Sequence, residues 1–268
     1  MPKALITGAS TGIGAVYADR LARRGHDLIL VARDRARLET LATKLRAETG
    51  VAVTVVPADL NARADLLRVE GLLRDDATIG LFVNNAGMAT PGPTTVADPD
   101  KVEAMLLLNV VAATRLASAA GAAFAARKSG TIINLASVVA VAVHAISPGY
   151  SGSKAYMLNF SLMLERELAP SGVRVQTVLP GATRTEIWGR GGIDVATLPS
   201  EILMDVNDMV DASLAGLDQG EAVTIPALAD PSLWDALDTA REALRPHLSR
   251  SFPAPRYGIA TRAAAVPA

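Results

Sequence analysis

The chain has 268 residues, a formal net charge of -1, and 50% hydrophobic but only 4% aromatic side chains. That is enough apolar material for a large buried core, and the near-neutral charge argues against a nucleic-acid partner, which calls for a basic excess on one face. There is no cysteine, and His26, His144 and His247 lie too far apart for a metal-ligand spacing; disulfides, thiol catalysis and Cys-based zinc are excluded and no metal is expected.

Met1-Pro2-Lys3 runs directly into the apolar Ala4-Leu5-Ile6. No charged region followed by a long apolar run precedes it, so no signal peptide is expected. No uninterrupted apolar stretch reaches membrane-spanning length, and a cytoplasmic protein without a membrane partner is expected.

Strand-length apolar runs alternate with amphipathic stretches. Lys3–Thr7 predicts a first strand, Ile13–Arg24 a helix stopped by Gly25, and Asp27–Ala32 a second strand. Arg35–Glu48 predicts a helix ended by Gly50, and Val51–Val56 a third strand rich in β-branched residues. A helix over Ala62–Arg74 and a fourth strand over Ile79–Asn84 follow. Asp98-Pro99 reads as an N-cap with proline at the first helical position, opening a long Ala/Leu-rich helix towards Arg127. Thr131–Ala136 predicts a fifth strand, Tyr150–Leu168 a helix and Val173–Leu179 a sixth strand.

Beyond that, Glu186–Pro199 reads as a loop or lid, Val206–Asp218 as a helix, Ala222–Ile225 as a short strand, and Asp230 to about Ser249 as helical. Strands separated by helices imply right-handed crossovers and a parallel sheet; near-continuous apolar strands imply burial on both faces. The expected fold class is α/β, a Rossmann-like doubly wound parallel sheet with helices on both faces. One domain is expected over residues 1–250, with a lid near 186–205 and a C-terminal arm over 251–268.

The first strand–helix junction reads Thr7-Gly8-Ala9-Ser10-Thr11-Gly12-Ile13-Gly14. Glycines there permit a tight turn and close backbone approach to a pyrophosphate, and the helix N-terminus offers unpaired N–H groups and a positive dipole end. Gly8, Ser10, Thr11, Gly12, Ile13 and Gly14 are therefore candidate phosphate-binding positions. Taken alone, the motif also fits a strand–helix turn that binds nothing.

The tip of the second strand, Val31-Ala32-Arg33, lacks the acid that holds the ribose 2′-hydroxyl of NAD. Arg33 suits a 2′-phosphate, hence NADP (NADPH), or is a solvated loop charge. Asp34, the rival acid, reads as the cap of the next helix.

These motifs, with Asp59-Leu60, Asn84-Asn85-Ala86-Gly87, Asn109, Ser137, Tyr150-Ser151-Gly152-Ser153-Lys154, Pro180-Gly181 and Thr185, resemble the short, non-extended branch of the short-chain dehydrogenase/reductases. The resemblance runs from Lys3 to about Thr185 and is jointly specific. It implies that Asp59 meets the adenine amino group and that Leu60 lines the adenine site. Asn85, Ala86 and Gly87 would lie under the adenosine ribose, and Pro180, Gly181, Thr183 and Thr185 around the nicotinamide. It further implies that Asn109 holds a water relaying protons through Lys154, and that the two central helices make a homodimer or homotetramer. The sequence departs from the family after Val223-Thr224-Ile225-Pro226, where a further helix and arm follow.

Tyr150 and Lys154 are four apart and share a helix face. A phenol has a pKa near ~10, and a neighbouring ammonium lowers it, so Tyr150 can act as acid in reduction and base in oxidation. Ser137, at a strand's C-terminal end, would hold the substrate oxygen. Val139, His144, Ile187 and Trp188 are candidate walls of an apolar substrate pocket.

The leading expectation is an NADP-dependent oxidoreductase acting on a small-molecule carbonyl or alcohol. The alternative is a non-catalytic NADP-sensing binding protein. A nucleotide-sugar epimerase or dehydratase is disfavoured by length and glycine spacing.

Overall fold

The computed structural model describes residues 1–90, 92–93, 95–142, 147–190 and 197–259. The chain divides into two compact units, Met1–Ala227 and Leu228–Ala268.

In the first unit, seven parallel strands pair in the order β3-β2-β1-β4-β5-β6-β7. They are β1 Lys3–Thr7, β2 Leu28–Ala32, β3 Val53–Pro57, β4 Ile79–Asn84, β5 Gly130–Leu135, β6 Val173–Val178 and β7 Val223–Thr224. The strand alternation divides the core between two faces. Ala4, Ile6, Leu28, Leu30, Leu81, Val83 and Ile133 are buried on one, and Leu5, Ile29, Val31, Phe82 and Ile132 on the other. The first face is covered by α1 Gly12–Arg23, α2 Arg35–Thr49 and α8 Val206–Gln219. On the second lie α3 Arg63–Asp75, α5 Ala113–Arg127 and α6 Pro148–Leu168. Because both faces are covered, strands such as LILVA in β2 are buried throughout.

Caps set the helix starts. The Asp34 carboxylate accepts the Arg37 N–H at 3.0 Å, so Asp34 is the N-cap of α2, as expected. α6 starts two residues before the predicted Tyr150, because Ser147 caps it and Pro148 fills its first position.

The long central helix is interrupted. α4, Pro99–Leu106, passes through a π-helical segment, Leu107–Ala112, into α5. Such segments cluster at functional sites, and this one carries Asn109. Pro99–Arg127 is long and apolar enough, with a mean hydropathy of 1.5, to cross a bilayer by length and composition alone. Here Met105, Ala112, Leu116, Ala120 and Phe124 are buried in the interior, the position of a core helix. The predicted C-terminal helix is shorter than expected: α9 covers Ser232–Leu244, followed by a single 3-10 turn, Arg245–His247. Between α6 and α8 the described residues include the short α-helix α7, Ile187–Arg190.

A buried polar chain crosses the second face. The Asn84 amide donates to Asn134 Oδ1 and to the Ala113 carbonyl, both at 2.9 Å; the Asn134 amide donates to Ser161 Oγ at 2.9 Å. It ties β4, β5, α5 and α6 together. Asn134→Ala removes one of the two acceptors of the Asn84 amide and the donor to the Ser161 hydroxyl. Urea unfolding is expected to show a loss of about 2–4 kcal/mol; a loss below about 1 kcal/mol would mean the chain contributes little.

Candidate active site

β1 and β4 are adjacent in the sheet while their following helices lie on opposite faces, which opens a crevice at their C-terminal ends. Thr7 closes its floor. Its hydroxyl accepts the N–H groups of Asn85 and Ala86, each at 3.0 Å, and donates to the Val83 carbonyl. The Asn85 side chain donates to the Thr7 carbonyl at 2.8 Å.

Two glycines are required there. Gly8 has φ +67°, and a Cβ on it would lie 2.8 Å from Asn85 Nδ2; a Cβ on Gly14 would collide with the Gly8 carbonyl oxygen.

Two cavities open along this edge. One, of about 570 Å³, is lined by Gly8, Ser10, Thr11, Gly12 and Ile13 of the turn, by Arg33, Asp59 and Leu60, and by Asn85, Ala86 and Gly87. Gly14 is not among its lining residues; it acts inside the turn. The other, of about 910 Å³, is lined by Ser137, Val139, Tyr150, Lys154, Pro180, Gly181, Thr183, Ile187 and Trp188. Asn85, Gly87, Thr185 and Ile187 line both. Every candidate residue except Gly14, Asn109 and His144 thus borders one of the two cavities; His144 lies outside the described residues.

The candidate catalytic side chains come from three elements. Ser137 follows β5 and is fixed to the loop after β6: its hydroxyl donates to the Pro180 carbonyl at 3.3 Å and accepts the Val139 N–H at 3.4 Å. Tyr150 and Lys154 stand one turn apart on α6. Lys154 Nζ donates to the Leu135 carbonyl at 2.9 Å and lies 5.8 Å from the Tyr150 ring centre. Asn109 reaches in from the π segment. Its Oδ1 accepts the Met88 N–H and its Nδ2 donates to the Met88 carbonyl, both at 2.9 Å, and Nδ2 also donates to Ser153 Oγ at 3.1 Å. Gly87 sits between Asn109 and Lys154: a Cβ there would lie 3.2 Å from Asn109 Oδ1 and 3.6 Å from Lys154 Nζ.

Burial governs the charges. It pushes the Tyr150 phenol up to about 12, with the Ser137 hydroxyl pulling the other way. This differs from the expected lowering by the ammonium, because desolvation of the phenolate is the larger effect. The same burial brings the Lys154 ammonium down to about 8. At neutral pH the pair is a neutral phenol beside a cation.

Sequence reasoning missed much of the larger cavity's wall. Met88, Ala89, Leu198, Ile202, Leu203 and Met204 all line it. The segment near Met204 is brought there by backbone pairing, with the Met204 N–H donating to the Ala182 carbonyl and the Arg184 N–H to the Met204 carbonyl, both at 2.9 Å. No local motif marks that pairing. Arg37, which lines the smaller cavity, was legible as a second cation one helical turn after Arg33.

Lys154 carries a stability cost that can be measured. Between about pH 8 and the ordinary lysine value of 10.5 the unfolded chain holds a proton that the folded chain does not, so this group's contribution to stability rises with pH across that window. Lys154→Met removes the cost of a buried cation. Its Tm at pH 7 is expected to exceed wild type by roughly 3–6 °C, with the difference shrinking towards pH 10. A lower Tm at pH 7 would contradict this.

Comparison with known proteins agrees with the geometry. The sequence pattern of the short chain dehydrogenase family matches residues 2–192. An uncharacterized oxidoreductase of Staphylococcus saprophyticus is 31% identical over 228 residues, covering 83% of this chain and 93% of that protein. A very-long-chain 3-oxoacyl-CoA reductase of Podospora anserina is 33% identical over 66% of this chain, but the match spans only 53% of that protein. Among solved structures, a short-chain dehydrogenase from Sphingobium yanoikuyae in complex with NADPH superposes with a TM-score of 0.93 at 51% identity, covering 96% of this chain and 100% of that one. A bulky-bulky ketone specific alcohol dehydrogenase from Comamonas testosteroni follows with a TM-score of 0.89 at 45% identity, covering 96% and 98%. With its crevice at the β1/β4 switch, its glycine turn and its Tyr150–Lys154 pair, the chain belongs to the short-chain dehydrogenase/reductase family.

Proposed function

We propose that this protein is an NADP-dependent oxidoreductase that moves a hydride between the cofactor and a carbonyl/secondary alcohol pair of a hydrophobic substrate. The carrying observation is the convergence of Ser137, Tyr150 and Lys154 on a cavity that adjoins the glycine turn.

The residues fit the cofactor. Gly8 and Gly14 make a cradle that a Cβ would fill. Asp59 and Leu60 line the same groove, which supports their reading as adenine contacts. Asp34 lines the groove but caps α2 through Oδ1, and Arg33 lines it beside that cap; a cation at this point supports the 2′-phosphate reading. The NADPH complex of the Sphingobium relative supports the same choice. Bound in this groove, the nicotinamide supplies or accepts the hydride.

The chain's own residues then handle the proton and the oxygen. Ser137 holds the substrate oxygen, and Tyr150, neutral below about pH 12, donates its proton to that oxygen in reduction. In oxidation the same phenol accepts the alcohol proton after losing its own, and the Lys154 charge favours the phenolate. Asn109 is a positioning residue: by gripping both backbone groups of Met88 it fixes the Gly87 turn against Lys154. Val139, Met88, Ile187, Trp188, Leu203 and Met204 line the substrate side, and a cavity of about 910 Å³ suits a bulky apolar ketone.

Tyr150→Phe removes one hydroxyl and leaves the ring packed. Turnover of NADPH with the best ketone is expected to fall ~100-fold or more, with NADPH binding by fluorescence nearly unchanged. Near-wild-type turnover would assign the acid elsewhere. A wild type that binds NADPH tightly yet reduces no ketone in a broad panel would favour the sensing role.

Assembly follows from a second surface. Leu106, Leu107 and Val111 on the central helix, and Tyr156 and Met163 on α6, are exposed, Met163 by 63%. Thr114 donates to the Tyr156 hydroxyl at 3.1 Å, joining the two helices. This apolar face fits a homodimer or homotetramer. Val111→Glu with Met163→Glu is expected to halve the mass measured by light scattering at micromolar concentration; a monomeric wild type would refute the assembly.

A further inference from the structure

Arg37 and Glu186 are 149 residues apart, yet the guanidinium Nη1 of Arg37 meets both carboxylate oxygens of Glu186, at 3.0 and 2.8 Å. The first stands on the opening turn of α2 and the second at the entrance to α7. Both line the groove of about 570 Å³ that also holds the glycine turn, Arg33 and Asp59. Thr185, beside Glu186, packs on that turn: a Cβ on Gly12 would lie 3.3 Å from Thr185 Cγ2. The ion pair therefore crosses the mouth of the groove, from its adenosine end to the strap of residues that separates it from the larger cavity.

The pair is half-exposed, with 48% and 52% of the two side chains accessible, so it adds little to folding. Its partners are oddly assorted for a merely structural contact. Arg33 and Arg37 are two cations at one end of a groove; Arg33 has no ion pair among the described residues. Arg37 is neutralised by Glu186 and, more loosely, by Asp34 at 3.5 Å. Glu186 sets both carboxylate oxygens on one guanidinium nitrogen, a charge-assisted contact that a phosphate oxygen could replace.

We propose that Arg37 is a second binding residue for the cofactor's 2′-phosphate, and that Glu186 is its exchangeable counter-ion. Entry of the phosphate dianion takes Arg37 from Glu186, so phosphate binding and loss of the Arg37–Glu186 pair are one exchange. Glu186 thereby weakens the grip on NADP(H) while leaving NAD(H), which has no 2′-phosphate, unaffected. This rests on the NADP reading above, and the experiment separates the two.

The probes are adenosine 2′,5′-bisphosphate and 5′-AMP, measured by calorimetry at low salt, so that neither nicotinamide nor turnover enters. Wild type must first prefer the bisphosphate; equal affinity would overturn the NADP reading and the exchange with it. Given that preference, Glu186→Gln is expected to bind the bisphosphate about three- to fivefold more tightly, with 5′-AMP unchanged. Arg37→Gln is expected to lose about tenfold for the bisphosphate only. In the Arg37→Gln background, Glu186→Gln should do nothing further. Three results overturn the exchange: a Glu186→Gln effect of equal size on both ligands, no effect on either, or a Glu186→Gln gain that persists without Arg37. Unchanged circular dichroism and Tm for both variants, which replace half-exposed side chains, keep a folding defect from imitating any of these.

Discussion

A single hydroxyl at the end of β1 joins the two halves of this site. Thr7 Oγ1 accepts two consecutive backbone N–H groups, of Asn85 and Ala86, and donates to the Val83 carbonyl. That contact clamps the turn after β4 against the turn after β1 at the point where the chain switches faces of the sheet. The approach is so close that neither Gly8 nor Gly14 has room for a Cβ. The glycine turn and the Asn85–Gly87 turn are thus held together, and the rest of the site is referred to them. Asn109 grips Met88, Gly87 fits between Asn109 and Lys154, and Lys154 is anchored on the Leu135 carbonyl at the end of β5.

The second organising effect is desolvation. The interior that positions Tyr150 and Lys154 also disfavours both of their charged forms, raising the phenol and lowering the ammonium. A cation held in such a place is costly to the fold. Its hydrogen bond to the Leu135 carbonyl offsets part of that cost, and the remainder is the sort of local sacrifice found where function, rather than stability, selects the residue. Asn109 follows the same logic. An amide in an apolar helix is tolerated because the π segment turns it onto the two backbone groups of Met88 and the Ser153 hydroxyl, so both its oxygen and its nitrogen are paired.

Charge at the two ends of the cleft is handled differently. At the reactive end the groups are buried and few. At the glycine-turn end Arg33, Arg37, Asp34, Asp59 and Glu186 line a groove, where half-exposed pairs such as Arg37–Glu186 are weak. Recognition of an anion suits the second environment, and proton transfer suits the first.

The order and type of the elements were legible in the chain, because strands buried on both faces read as continuous apolar runs and helices are punctuated by caps such as Asp34 and Asp98 and by left-handed glycines such as Gly50. The glycine turn and the Tyr150–Lys154 pair were legible for the same reason: local backbone geometry and one turn of helix bring their parts together within a few residues. Local sequence could not show the early start of α6 at Pro148, the π segment that aims Asn109, the pairing of Met204 with the Thr183 loop, or the Arg37–Glu186 contact. Each depends on parts brought together by packing of the sheet and its helices. The sequence by itself determined which groups are available and on which element each stands. Tertiary structure decided how far each is removed from water and what it touches, because desolvation and non-local contact arise only when distant segments exclude solvent from one another.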